Sequence, residues 1–125
     1  MASERFAVTA ETGPEPGASG ESGAVVLSLE GELDHDTADI LRQALEERNG
    51  AALILVDCER LSFCDSTGLN VLLRARLQAL ESGGRLELAG LRPPVSRMFE
   101  ITGARTVFRV YENVAEALTD RRAGG

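Results

Sequence analysis

Val25, Leu27 and Leu29 alternate with Val26 and Ser28, the two-residue period of a strand with one face buried. Gly31 interrupts that pattern. A helix is then expected from near Asp34 or Asp36, since either carboxylate can accept from the free N–H groups at a helix start. Its inner face would carry Leu41, Ala44 and Leu45, with Arg42, Glu46 and Glu47 toward water and Asn49-Gly50 as its stop. Residues 51–56 are an unbroken apolar run, as in a central strand covered on both faces, and a loop is expected over 57–64. After Asp65 the spacing of Leu69, Leu72, Leu73, Leu77 and Leu80 predicts a helix with one apolar stripe, closed by Gly83-Gly84.

Alternation returns over 85–89, with Leu86 and Leu88 inward and Arg85 and Glu87 outward. Pro93-Pro94 suits the first turn of a further helix that buries Val95, Met98 and Phe99 and stops at Gly103. Residues 107–111 read as a last strand, and Asn113 with Glu116 as a capping-box-like start for a C-terminal helix. Residues 5–9 fit a short edge strand, and 11–23, rich in Gly, Pro, Glu and Ser, a flexible loop. Strands alternating with helices predict an α/β fold: a single domain with a mixed, mainly parallel sheet of four to five strands. Because two strands carry a polar outer face, about four helices should crowd one side. The expected bounds are 1–24 for the edge strand and loop, 25–120 for the domain and 121–125 for a frayed tail.

The composition narrows the function. The 125 residues allow one core, and with few aromatics and no tryptophan that core must be aliphatic. A net charge of −7 argues against nucleic acid or anionic membrane as a partner, since both select basic surfaces. No apolar run has the length of a bilayer crossing and the first residues do not resemble a secretory signal, so a cytoplasmic location is expected. All basic residues are arginine, which removes chemistry that needs lysine. Cys58 and Cys64 lack the spacing and companions of a zinc site, so two reduced, partly buried thiols are expected, with no metal and no cofactor.

The candidate chemistry lies in Leu61-Ser62-Phe63-Cys64-Asp65-Ser66-Thr67-Gly68-Leu69. This stretch sets a hydroxyl, Ser66, in the first turn of the strongest helix, past the end of the most apolar strand. A helix N-terminus carries about half a positive charge and unpaired N–H groups, so it tolerates an added phosphate. The same residues also describe an ordinary capped helix start, and the local pattern accommodates both readings. An enzyme fits less well. His35 is the only histidine and Gly-x-Ser-x-Gly is absent, so a nucleophilic serine would lack its base and its setting. Asp57 ends a central strand as a phosphorylated aspartate would, but the lysine that such a receiver domain calls for is missing.

Two segments give the chain its resemblance to a known family: Gly31-Glu32-Leu33-Asp34-His35, with Thr37-Ala38 beyond, and Leu61 to Leu69. Together with Gly83-Gly84 and Pro94-Val95-Ser96-Arg97-Met98-Phe99, they resemble the anti-sigma-factor antagonists of the STAS family over about residues 24 to 118. The resemblance implies a binding protein whose partner is a serine-kinase anti-sigma factor. That kinase would phosphorylate Ser66, with Thr67 a minor alternative, and a PP2C-type phosphatase would reverse it. Unphosphorylated protein would hold the kinase and free a sigma factor. Asp34, Asp65, Ser66, Thr67 and Gly68 would form the partner surface, Gly68 by letting a partner approach the backbone. The alternative within the family is a non-switching scaffold or regulatory subunit of a signalling or transport complex.

Overall fold

The computed structural model describes residues 3–12 and 23–123. Five strands form one sheet in the order β1-β2-β3-β4-β5: β1 (Phe6–Thr12), β2 (Ala24–Leu33), β3 (Leu53–Cys64), β4 (Arg85–Ala89) and β5 (Val110–Tyr111). Only β1 runs antiparallel to its neighbour. Helices α1 (Ala38–Glu46), α2 (Ser66–Glu81) and α3 (Val95–Thr102) connect the parallel strands, and α4 (Val114–Ala123) follows the last one.

Each parallel connection steps to the next strand in the same direction. Crossovers of one hand must then lay their helices on one face of the sheet. That face holds the main core, in which Leu27, Leu41, Val56, Leu72, Leu88 and Phe99 are fully buried. Each such Leu contributes about 1.5–3 kcal/mol by leaving water. The helix α4 closes no crossover and is free of this constraint. It packs on the other face, where Ala117 meets Val26, Leu55 and Ala89. The expectation of helices crowding one face therefore holds for α1–α3 and fails for α4.

Other expectations change with it. Glu87, expected to face water, is buried beside Leu55 on the face that α4 covers, 3.7 Å from Arg85. Residues 57–64 are no loop. They continue β3 and pair with an equally extended β2, whose register slips after Ser28 and again after Gly31. Gly31 bends rather than ends β2: its φ is +106°, and a Cβ there would collide with the Arg5 carbonyl.

The stripe on α2 is Gly68, Leu69, Leu72, Ala75 and Ala79, while Leu77 and Leu80 are exposed. The last strand shrinks to Val110–Tyr111 behind a 3-10 turn at Ala104–Thr106, because Phe108 turns inward onto Phe99. Asn113 caps α4 as expected, its side chain accepting from the Glu116 N–H at 2.7 Å. The helix continues through Ala123, past the expected fraying point at Arg121. Of the expected loop 11–23, Glu11 and Thr12 belong to β1 and residues 13–22 lie outside the described residues.

Candidate functional site

β2 and β3 end side by side, with Leu33 opposite Cys64 and both side chains in the core. The chain leaves the sheet at Asp34 on one strand and Asp65 on the other, at the carboxyl edge where open α/β sheets receive ligands. A hydrogen bond from the Asp65 N–H to the Leu33 carbonyl, 3.1 Å, ties the two exits together. Residues 31 positions apart in sequence thus form one surface.

Asp65 is extended and caps α2, its carboxylate accepting the Gly68 N–H at 3.0 Å. Ser66 and Thr67, the first two helical residues, are both exposed. Gly68 is buried, and its missing side chain has an internal use: a Cβ would stand 2.5 Å from Leu33 Cγ. Gly68 thus permits the close approach of α2 to the end of β2.

Asp34 behaves differently from an open acidic contact. Its Oδ2 accepts from Arg5 Nη1 at 2.6 Å, and its Oδ1 accepts the N–H groups of Asp36 and Thr37. The Arg5 guanidinium, foremost, holds the Asp34 carboxyl well below the usual carboxylate range, and Asp34 in turn raises Arg5. Arg5 also reaches Glu32 at 2.9 Å and Asp36 at 3.6 Å. The turn over residues 35–37 precedes α1, so the helix starts at Ala38 rather than at Asp34 or Asp36. Thr37, almost fully buried, donates its hydroxyl to the Glu32 carbonyl and accepts the Asp34 N–H.

Sequence reasoning missed Arg5, because nothing local links it to carboxylates 29 positions away. It also missed Phe63, paired with Glu32 near the end of β3 and 45% exposed. The signal for Phe63 was present, an aromatic three residues before Ser66, but a loop reading gave it no face. Asp34, His35 and Asp36 lie close enough together to share a cation, yet Arg5 already occupies their carboxylates. Asp57 is not brought to this site. It sits within β3 between Ser28 and Ala89, beside a hollow of about 290 Å³ lined by Thr9, Glu11, Glu59 and Arg60. Cys58 and Cys64 are free and buried; burial, then the Asp65 charge, pushes the Cys64 thiol up to about 12.

Residues 17–110 match the family model described as Mlab, STAS domain, which spans well over half of the chain. The protein belongs to the STAS-domain family. Among its STAS relatives, the anti-sigma F factor antagonist of Paenibacillus polymyxa is 33% identical over 101 residues, covering 78% of this chain and 86% of that one. The anti-sigma-B factor antagonist of Staphylococcus aureus (strain NCTC 8325 / PS 47) is 35% identical over 89 residues, covering 69% and 82%. These matches place the chain with the anti-sigma factor antagonists of the STAS family.

The solved structures agree. The anti-sigma factor antagonist SpoIIAA in its unphosphorylated form superposes with a TM-score of 0.76 at 26% identity, covering 94% of this chain and 97% of its own. An anti-sigma factor antagonist from Mycobacterium paratuberculosis has a TM-score of 0.81, covers 97% of each chain and, at 24% identity, shares the fold. No helix among the described residues is long and apolar enough to cross a membrane.

Proposed function

We propose that this STAS protein is a cytoplasmic binding module, not an enzyme, that captures a serine-kinase anti-sigma factor through the surface around Ser66. The kinase phosphorylates Ser66, with Thr67 as a minor second acceptor, and phosphorylated protein releases it. A PP2C-type phosphatase restores the binding form. Unphosphorylated protein thus frees a sigma factor.

One observation carries this reading: the Ser66 hydroxyl is exposed in the first turn of the sixteen-residue α2, at the sheet edge shared with Asp34. A phosphate there adds about −1.5 to −2 charges, which the helix N-terminus partly offsets, so modification leaves the fold intact. Relatives bear the name anti-sigma factor antagonist, and the neighbour SpoIIAA has been solved in both unphosphorylated and phosphorylated forms.

The source of the release penalty follows from the charges. Asp34 is paired with Arg5, whereas Asp65, next to Ser66 in the chain, forms no ion pair among the described residues. Most of the penalty then arises where the phosphate is desolvated against the partner. Incubation with candidate kinases and ATP, read by mass spectrometry, tests the reading. A single phosphate at Ser66, absent in Ser66→Ala, is expected; no modification at Ser66 or Thr67 by any kinase would leave a non-switching scaffold as the better description.

A further inference from the structure

We infer that Arg5 is a positioning residue of the Ser66 surface: by gripping Asp34, Glu32 and Asp36 together, it locks the turn between β2 and α1, which starts directly after Leu33, whose carbonyl accepts the N–H of Asp65, the cap of α2. For docking, this rests on the function proposed above. Without the guanidinium, Glu32, Asp34 and Asp36 would be three like charges within five residues. An isolated surface ion pair contributes little, because water competes for both partners. Here one cation meets three carboxylates, and Asp34, the closest, is only 15% exposed.

Arg5 is itself fixed. Its carbonyl accepts the Glu32 N–H at 2.8 Å, an approach that the missing side chain of Gly31 permits. Its two terminal nitrogens straddle the Asp34 carboxylate at 2.6 and 3.3 Å, a fork that lysine cannot reproduce. From Asp34 the restraint passes straight to the backbone N–H groups of Asp36 and Thr37, then through Leu33 to Asp65. A turn ordered beforehand does not have to be ordered on docking, so its restraint acts on affinity. Ser66, which accepts the phosphoryl group, is untouched by Arg5. The grip therefore governs KM and not kcat.

Two readouts on the full chain test this with Arg5→Ala, Arg5→Lys, Asp34→Ala and the Arg5→Ala/Asp34→Ala pair. The first is amide hydrogen exchange, which needs no kinase. Arg5→Ala is expected to speed exchange at Asp36, Thr37 and Asp65 about tenfold, while Leu88 in β4 stays unchanged. The second is phosphorylation kinetics: KM should rise about five- to tenfold with kcat within about twofold, Lys should restore less than half of the loss, and Arg5→Ala should cost clearly less once Asp34 is Ala than it does alone. Unchanged exchange at those three amides would overturn the inference, as would additive effects of the two substitutions. Faster exchange with an unchanged KM would overturn its docking half. If no kinase modifies the wild-type protein, the proposed function fails, and the exchange data alone decide whether Arg5 holds the turn.

Discussion

The turns that follow β2 and β3 start alike and end differently. Each begins with an aspartate directly after a buried residue, Asp34 after Leu33 and Asp65 after Cys64; Asp34 accepts the N–H groups of Asp36 and Thr37 ahead of α1, and Asp65 that of Gly68 in the first turn of α2. At Asp34 the carboxylate is paired with Arg5 and the helix is delayed to Ala38. At Asp65 the carboxylate caps α2 at once and leaves the Ser66 hydroxyl in water. One exit is clamped by a cation; the other has a free hydroxyl at a helix's positive end. An aspartate that accepts backbone N–H groups thus yields a rigid shoulder at one exit and a modifiable edge at the other, and the difference lies in what surrounds it.

The largest effect expected from breaking this contrast is at the open exit. Ser66→Asp should weaken kinase binding by about 10²-fold in a titration, whereas Ser66→Ala should bind and resist modification. Gly68→Val should come next. Its side chain would strike Leu33, an overpacking that costs about 1–3 kcal/mol and is measurable as a lowered urea midpoint. Asp65→Ala should cost about 1 kcal/mol through the lost cap, read the same way.

Acid titration sharpens the other side. Because the Asp34 carboxyl is held below its ordinary range, its contribution is present above about pH 4 and is lost as the pH falls from there. Asp34→Asn should remove that part of the acid dependence, and Asp65→Asn should leave it in place. The smallest effect concerns the thiols: at pH 8 an alkylating reagent should leave Cys58 and Cys64 unlabelled in native protein and label both in denaturant.

How much of this was legible in the chain depended on range. Short-range periodicity located β2, α1, α2 and β4, because Val25, Leu41, Leu72 and Leu86 report burial through their own neighbours. It failed where burial is decided from afar. Glu59, Arg60, Ser62 and Phe63 are exposed on β3 and break the apolar run, so a strand looked like a loop. Glu87 looked like a surface residue until α4 covered its face. On α2, Leu69 and Leu72 hold the inner stripe as expected, but Gly68, Ala75 and Ala79 complete it while Leu77 and Leu80 are exposed. Within the site, Asp65 and Ser66 were readable from the helix start alone. Arg5 was not, because its partners meet only when β1 pairs with β2.

The most direct measurement compares two calorimetric titrations of the anti-sigma kinase, one with unmodified protein and one with protein fully phosphorylated on Ser66. Micromolar or tighter binding by the first, and at least about 10²-fold weaker binding by the second, is the expected result. Equal affinities would mean that an anion placed on this helix start does not reach the docked partner, and a phosphate switch at Ser66 would have to be abandoned.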